Sequence, residues 1–156
     1  MHPLRIDPAR DALLVIDVQN DFCPGGALAV QGGDEVVPII NALMRRFSCV
    51  VLTQDWHPPE HQSFASAHPG QTAFSSVRMN YGDQTLWPDH CVQGSAGADF
   101  HAALDLGAAH LVLRKGFRPG IDSYSAFCEN DRVTLTGLSG WLRELGIQRV
   151  WLCGLA

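Results

Sequence analysis

The sequence has little charge and no run of basic residues. Only 17% of its 156 residues are charged, and 11 Lys and Arg stand against 16 Asp and Glu, which gives a formal net charge of −5. Proteins that bind nucleic acid or anionic membrane surfaces usually present clustered positive charge. The composition therefore argues against both kinds of partner and favours a small uncharged molecule.

Long apolar runs are also absent. The first run, residues 12–16, is closed by Asp17, far short of the roughly 20 residues of a membrane-spanning helix or of the apolar core of a signal peptide. The cysteines form an odd set without a C-x-x-C pair: Cys23, Cys49, Cys91, Cys128 and Cys153. Neither a disulfide framework nor a cysteine zinc site is indicated. We expect a soluble, cytoplasmic protein with reduced thiols.

Buried strands alternate with helices along the chain. Residues 12–18 form an apolar stretch without alternation, as in a strand buried on both faces of a parallel sheet. Further strands are predicted at 49–53, 111–113 and 150–153, and helices at 36–47 and 141–145. The pattern predicts an α/β fold with an open parallel sheet, and the length suits a single domain over residues 1–156.

Three polar residues stand at predicted strand ends: Asp17, Asp55 and Lys115. Ligands of open parallel sheets bind beyond the carboxyl ends of the strands, so these side chains mark the expected site. Residues 57–110 show little periodicity and many Pro, Gly and Ser. Loops of that length in a compact domain are usually functional.

A metal site is one interpretation of Asp55 and His57 together with His90. Side chains two apart in an extended segment point the same way, and two nitrogens with one oxygen suit zinc, manganese or iron. Spacing alone equally allows separate surface histidines and a helix-capping aspartate. His61 could be a fourth ligand, a partner of a metal-bound water or an exposed loop residue.

Asp17 and Lys115 form a second candidate constellation. A lysine beside a sheltered carboxylate keeps it ionised, so that it can take a proton from a nearby nucleophile. A strand-end cap and a structural ion pair would look the same in the sequence.

Three loop aromatics, Phe22, Trp87 and Tyr124, could enclose a flat ring, although each alone fits a core position. Cys91 follows His90, and neighbouring side chains in an extended chain point apart, so Cys91 is interpreted as structural.

Five separated motifs resemble those of one enzyme family. They are Asp17-Val18-Gln19-Asn20-Asp21-Phe22, Asp55-Trp56-His57-Pro58, Trp87-Pro88-Asp89-His90-Cys91-Val92, Lys115-Gly116 and Cys153-Gly154-Leu155-Ala156. In this order they resemble the nicotinamidase/pyrazinamidase group of the isochorismatase-like cysteine hydrolases. The resemblance implies a three-layer α/β fold, an open parallel sheet with helices on both faces, and hydrolysis of nicotinamide to nicotinate and ammonia, a step of NAD salvage.

The resemblance also implies residue roles. Asp17 matches the general base and Lys115 the catalytic lysine, while Ala156 would offer its backbone N–H to the oxyanion. The matched metal ligands are Asp55, His57 and His90, for one divalent ion, with zinc preferred and manganese or iron as alternatives. Phe22, Trp87 and Tyr124 match positions that contact the substrate ring. Whether the protein forms a homo-oligomer is left open.

The chain departs from the family pattern at its end. The motif would continue to a nucleophilic cysteine four places beyond Ala156, and none of the five cysteines aligns with it. We therefore expect that the C-terminal part of the fold is missing and that this chain alone is inactive. Alternatives are a sibling amidase or carbamoyl hydrolase, a hydrolase that uses metal-bound water, and a non-catalytic metal-binding domain.

Overall fold

The computed structural model describes residues 5–155. In chain order its strands and helices are β1 (Asp11–Ile16), α1 (Val36–Met44), β2 (Val50–Asp55), β3 (Ser76–Met79), β4 (Gly82–Thr85), β5 (Leu111–Lys115), α2 (Leu138–Glu144) and β6 (Arg149–Gly154). Short 3-10 helices lie between them at Asn20–Phe22, Gly33–Glu35, Ala65–Ala67 and Leu106–Ala108.

The main sheet is parallel and has the strand order β5-β2-β1-β6. Strand β1 lies between two neighbours, with Leu14 opposite Val51 of β2 and Leu152 of β6. Residues 11–15 are all buried, which explains why this strand lacks the apolar and polar alternation of a half-exposed one.

The two helices pack on opposite faces of the sheet. On one face, Val37, Ile40 and Met44 of α1 contact the side of β1 that carries Leu13 and Val15. On the other face, Leu138 and Leu142 of α2 pack with Ala12 and Leu14. Successive strand residues point to opposite faces, so β1 serves both cores. The predicted three-layer α/β fold is therefore confirmed. No helix within residues 5–155 has the length and apolar character that a membrane crossing demands.

The predicted elements are present, with shifted ends and one addition. Strand β1 ends at Ile16 instead of residue 18, because Asp17 has a left-handed backbone with φ 47°. Helix α2 begins at Leu138, three residues before the predicted start. The segment 57–110 also contains an antiparallel hairpin, β3–β4, which the sequence analysis missed. Its strands have four residues each and are largely half-exposed, so they leave little hydrophobic signal.

An ion pair at the amino ends of the strands ties β1 to β6. The Asp11 carboxylate accepts hydrogen bonds from Arg149 Nε at 2.9 Å, Arg149 Nη2 at 2.6 Å and Trp151 Nε1 at 3.0 Å. The Arg149 guanidinium holds the pKa of Asp11 at about 2, below its ordinary value of 3.8. A carboxylate with a lowered pKa stabilises the fold above its ordinary pKa, and this contribution is lost as the pH falls through the lowered value.

We expect Asp11→Asn to lower the free energy of unfolding by an amount that depends on pH. The difference from the unsubstituted protein should be constant above about pH 5 and should shrink between about pH 4 and pH 2, where Asp11 becomes protonated. Urea titrations at several pH values measure it. Asp83→Asn, which removes an exposed pair with Arg78, is the control and should change little. A difference that persists undiminished at pH 2 would contradict this assignment.

Candidate active site

Asp17 leaves strand β1 in a strained conformation that Thr53 supports. The Asp17 N–H donates to Thr53 Oγ1 at 3.1 Å, and the same hydroxyl donates to Asp17 Oδ1 at 2.6 Å. A left-handed φ in a non-glycine residue costs on the order of 1 kcal/mol, so surrounding contacts must hold it. The result is a fully buried carboxylate turned to the carboxyl edge of the sheet.

Lys115 at the end of β5 joins two carboxylates. Its Nζ lies 2.6 Å from Asp17 Oδ2, makes a very short ion pair with Asp55 Oδ1, and donates to the Ser123 carbonyl at 3.3 Å. All three charged side chains are buried. The predicted proximity of Asp17 and Lys115 is therefore observed, and Asp55 shares the same lysine.

The buried charges set the protonation of the site. Burial raises the pKa of Asp17 to about 6 against the opposing effect of Lys115, and Asp55 raises it further. Burial alone would raise the pKa of Asp55, but Lys115 and His57 hold it well below its ordinary value. Burial would lower the pKa of Lys115, but the two carboxylates raise it. Within residues 5–155, Asp17 Oδ2 also lacks a well-aligned hydrogen bond. Asp17 is thus suited to take up and release a proton near neutral pH.

Asp55, His57 and His90 come together as a candidate metal centre. One ligand atom from each lies within 4.8 Å of the others. His57 Nδ1 contacts the Gly116 carbonyl at 2.8 Å, and His90 Nδ1 contacts the Pro88 carbonyl at 2.8 Å. Carbonyls only accept hydrogen bonds, so Nδ1 carries a proton in both rings, and the Nε2 atoms, which face Asp55, are the ones placed to bind a metal.

The spacing of these atoms fits a metal ion after a small contraction. Asp55 Oδ2 lies 3.8 Å from His57 Nε2 and 3.9 Å from His90 Nε2. Metal bonds of about 2.1 Å at tetrahedral angles separate ligand atoms by roughly 3.4 Å. Gly116, with φ 66°, lets the backbone approach His57, since a Cβ there would lie 2.4 Å from the ring. Two nitrogens and one oxygen would leave further positions for water or substrate.

His61 is buried, so the exposed-loop alternative is wrong. Its Nδ1 lies 2.8 Å from Ser63 Oγ, and its Nε2 lies 3.2 Å from the Ile121 carbonyl. Its ring packs against that of His57, with centroids 4.5 Å apart. Both nitrogens thus have protein partners within residues 5–155, and the ring supports that of His57.

A cavity of about 430 Å³ lies beside Asp55 and Lys115. The three aromatics singled out in the sequence line it together with Asp55, His90 and Lys115: Phe22, Trp87 and Tyr124. Its remaining wall is the apolar stretch 28–30, which the sequence analysis did not single out although it lies between glycine pairs. The Trp87 and Tyr124 rings meet edge to face at 6.2 Å. Such a cavity suits a flat, mostly apolar ligand.

Gln19, for which the motif alone predicted no role, also helps to build the site. Its Nε2 donates to the Asp55 carbonyl at 2.8 Å, and the Asp55 N–H donates to Gln19 Oε1 at 2.8 Å. The side chain thus extends the β1–β2 hydrogen bonding past the end of β1 and fixes Asp55. Gln19 and Thr53 are both fully buried. Thr53 is a polar residue in the apolar run of β2, and a buried hydroxyl needs a hydrogen-bond partner. Its presence in that run is the sequence signal that could have identified it.

Burial keeps four of the five cysteine thiols protonated, because it raises their pKa. Cys91 packs with Phe22 and Ala98, as expected for a structural residue, and burial raises its pKa well above the ordinary value. Burial also raises the pKa of Cys23, Cys49 and Cys153. Ala156, the expected oxyanion contact, lies outside the described residues.

The fold and site define an α/β domain with a buried carboxylate–lysine pair and a candidate set of metal ligands beyond the carboxyl ends of its strands. Residues 11–156 match the model of the isochorismatase domain, and the chain belongs to this family. It is 54% identical to a nicotinamidase of Acinetobacter baylyi, with 100% of this chain and 73% of that protein covered. It is 47% identical to a nicotinamidase of Escherichia coli, with 93% and 70% covered.

Solved structures agree with this assignment. A nicotinamidase/pyrazinamidase of Acinetobacter baumanii superposes with a TM-score of 0.94 at 52% identity and covers 97% of this chain and 73% of that one. PnC1 from L. infantum, in complex with nicotinate, gives 0.82 at 42% identity, with 98% and 70% covered. The pyrazinamidase of Pyrococcus horikoshii, in complex with zinc, gives 0.72 at 36% identity, with 94% and 71% covered.

We expect His57→Ala and His90→Ala each to weaken zinc binding by more than about 100-fold. Loss of an outer partner of a ligand already costs 10- to 100-fold, so loss of a ligand should cost at least as much. Calorimetric titration of the protein with zinc alone measures the affinity. His101→Ala, a histidine outside the cluster, is the matched control. Unchanged affinity in either variant would remove that histidine from the ligand set.

Proposed function

We propose that this protein hydrolyses nicotinamide to nicotinate and ammonia and also accepts pyrazinamide-type amides. The observation that carries the proposal is one cavity whose walls include Lys115, Asp55, His90 and three aromatic rings. Asp17 is paired with Lys115, and His57 lies beside Asp55 and His90. The nicotinamidases at 54% and 47% identity support the same reaction. The substrate is thus a small aromatic amide.

The aromatic side chains hold the substrate ring and the buried charges face its amide group. Phe22, Trp87 and Tyr124 exclude water from the ring faces, which strengthens electrostatic interactions at the reacting carbon. A divalent metal held by Asp55, His57 and His90, zinc or alternatively manganese or iron, would supply a Lewis-acid contact for the ring nitrogen. The zinc in the Pyrococcus pyrazinamidase supports this assignment.

Asp17 is the general base and acid of the proposed reaction. It removes the proton of a cysteine thiol, and the thiolate attacks the amide carbon while the backbone N–H of Ala156 stabilises the oxyanion. Asp17 then returns the proton to the leaving nitrogen, so that ammonia departs and a thioester remains. Water, activated by Asp17, hydrolyses the thioester to the carboxylic acid. Lys115 favours the charged form of this carboxylate before the thiol proton is taken up and after it has been passed to the leaving nitrogen.

The nucleophile is proposed to lie outside residues 1–156. A nucleophilic thiol needs a lowered pKa, whereas burial raises that of Cys23, Cys49, Cys91 and Cys153. Cys128 lines a different cavity, beside Tyr81. We therefore propose the cysteine of the family motif, four places after Ala156, as the nucleophile of the gene product read to its stop codon.

Ammonia release from nicotinamide tests the reaction. The gene product read to its natural stop codon should release ammonia, residues 1–156 alone should not, and Asp17→Asn should lower kcat at least about 100-fold because it removes the proton acceptor. Asp83→Asn, on the exposed hairpin, is the control with unchanged kcat. Absence of release by the unsubstituted gene product would contradict the proposed substrate. Release by residues 1–156 would contradict the proposed nucleophile.

The pH profile of kcat/KM should have an acid limb near pH 6. Asp17 must be ionised to accept the proton, and burial places its pKa at about 6, so activity should fall as the pH drops below that value. Initial rates between pH 4.5 and pH 8, in buffers of constant ionic strength, measure this limb. A profile that stays flat down to about pH 4.5 would argue against Asp17 as the base.

A further inference from the structure

The hairpin β3–β4 carries one buried polar side chain next to the substrate cavity. Gln84 is 1% exposed, whereas its neighbours in β4 are half-exposed or exposed. We propose that Gln84 is a positioning residue that fixes the Tyr124 hydroxyl and thereby the Trp87–Tyr124 wall of the cavity. This role rests on the proposed function, because it concerns the binding of the substrate ring.

The orientation of the Gln84 amide is determined by its partners. Its Nε2 lies 2.7 Å from the Thr85 carbonyl and 3.0 Å from Asp122 Oδ2, and its Oε1 lies 3.0 Å from Tyr81 Oη. A flipped amide would place Oε1 against two groups that only accept hydrogen bonds. The nitrogen therefore also faces the Tyr124 hydroxyl, at 2.9 Å, and two amide hydrogens are shared among three oxygens.

The Tyr124 oxygen links the amide to the second aromatic ring. It accepts from Gln84 Nε2 at 2.9 Å and from Trp87 Nε1 at 3.3 Å. Asn130 reinforces the connection, because it accepts from the Tyr124 N–H at 3.0 Å and donates to Gln84 Oε1 at 3.3 Å. With both lone pairs engaged, the phenol can offer a ligand only its own O–H. Gln84 thus sets the position of the ring and the polarity of its hydroxyl.

Tyr124 needs such a support because packing alone holds it poorly. The residue is 56% exposed although it lines the cavity. An exposed ring loses rotamer freedom when a ligand orders it, and this loss weakens binding. A hydrogen bond that already orders the ring in the free protein reduces this loss.

A double-mutant cycle tests the proposal in the gene product read to its stop codon. Gln84→Met, similar in size but unable to bond, should raise KM for nicotinamide about three- to tenfold with kcat within about twofold. In the Tyr124→Phe background, Gln84→Met should raise KM little further, because the hydroxyl it acts on is gone. An unchanged KM, or effects that simply add, would overturn the proposal. Asp83→Asn, the adjacent exposed residue, is the control with unchanged KM.

A spectroscopic readout separates this proposal from the proposed function. The indole N–H resonance of Trp87, assigned by its loss in Trp87→Phe, should shift in Gln84→Met and in Tyr124→Phe but stay in place in Asp83→Asn. An unmoved resonance in Gln84→Met would overturn the positioning role, whatever the activity. If the unsubstituted protein does not hydrolyse nicotinamide, the proposed function fails, and a shifted resonance still supports the link from Gln84 through Tyr124 to Trp87.

Discussion

The site depends on one buried lysine between two carboxylates. Asp17 and Asp55 each carry one negative charge and Lys115 one positive charge, so the group retains one net negative charge when all three are ionised. Removal of Lys115 would leave two buried carboxylates without a compensating charge. Burial of an unpaired ion costs several kcal/mol, which is on the order of the free energy of unfolding of a whole domain. The excess negative charge can be offset in two ways that the geometry provides: protonation of Asp17, or a cation beside Asp55, His57 and His90.

The parallel sheet explains why these groups meet. Strands β1, β2 and β5 are neighbours, and their carboxyl ends deliver Asp17, Asp55 and Lys115 to one edge, with Asp55 directly opposite Lys115 in the register. Thr53 and Gln19 then fix what strand pairing leaves free: the first holds the strained turn at Asp17, and the second holds the backbone of Asp55. A shift of either carboxylate would separate it from the shared lysine, and these uncharged groups oppose such a shift.

The strand ends could be predicted from the sequence, whereas much of the loop geometry could not. Buried parallel strands leave unbroken apolar runs, so the positions of Asp17, Asp55 and Lys115 follow from the end of each run. His90 lies in a long irregular segment, so residue types suggested it as a third ligand beside Asp55 and His57 but could not place it, and the family resemblance supplied the assignment. His61 could not be assigned because one of its partners, Ile121, is 60 residues away. The β3–β4 hairpin was missed because its four-residue strands bury little apolar surface, and its buried position holds a glutamine.

The sheet and the loops therefore contribute different parts of the site. The sheet fixes the charged groups, and hydrolysis of any amide at this site would use the same arrangement of charges. The walls around the substrate ring come from loops: Phe22 after β1, residues 28–30 in the glycine-rich loop, Trp87 after the hairpin and Tyr124 after β5. Loops tolerate substitution more readily than buried strands do. Preference between a pyridine and a pyrazine ring should accordingly depend on the walls and on the support that Gln84 gives them, since both rings place an amide over the same charged group. The β3–β4 hairpin contributes little to the main sheet, and its Gln84 instead bonds to Tyr124 on the wall of the cavity, so the hairpin belongs with the proposed substrate site.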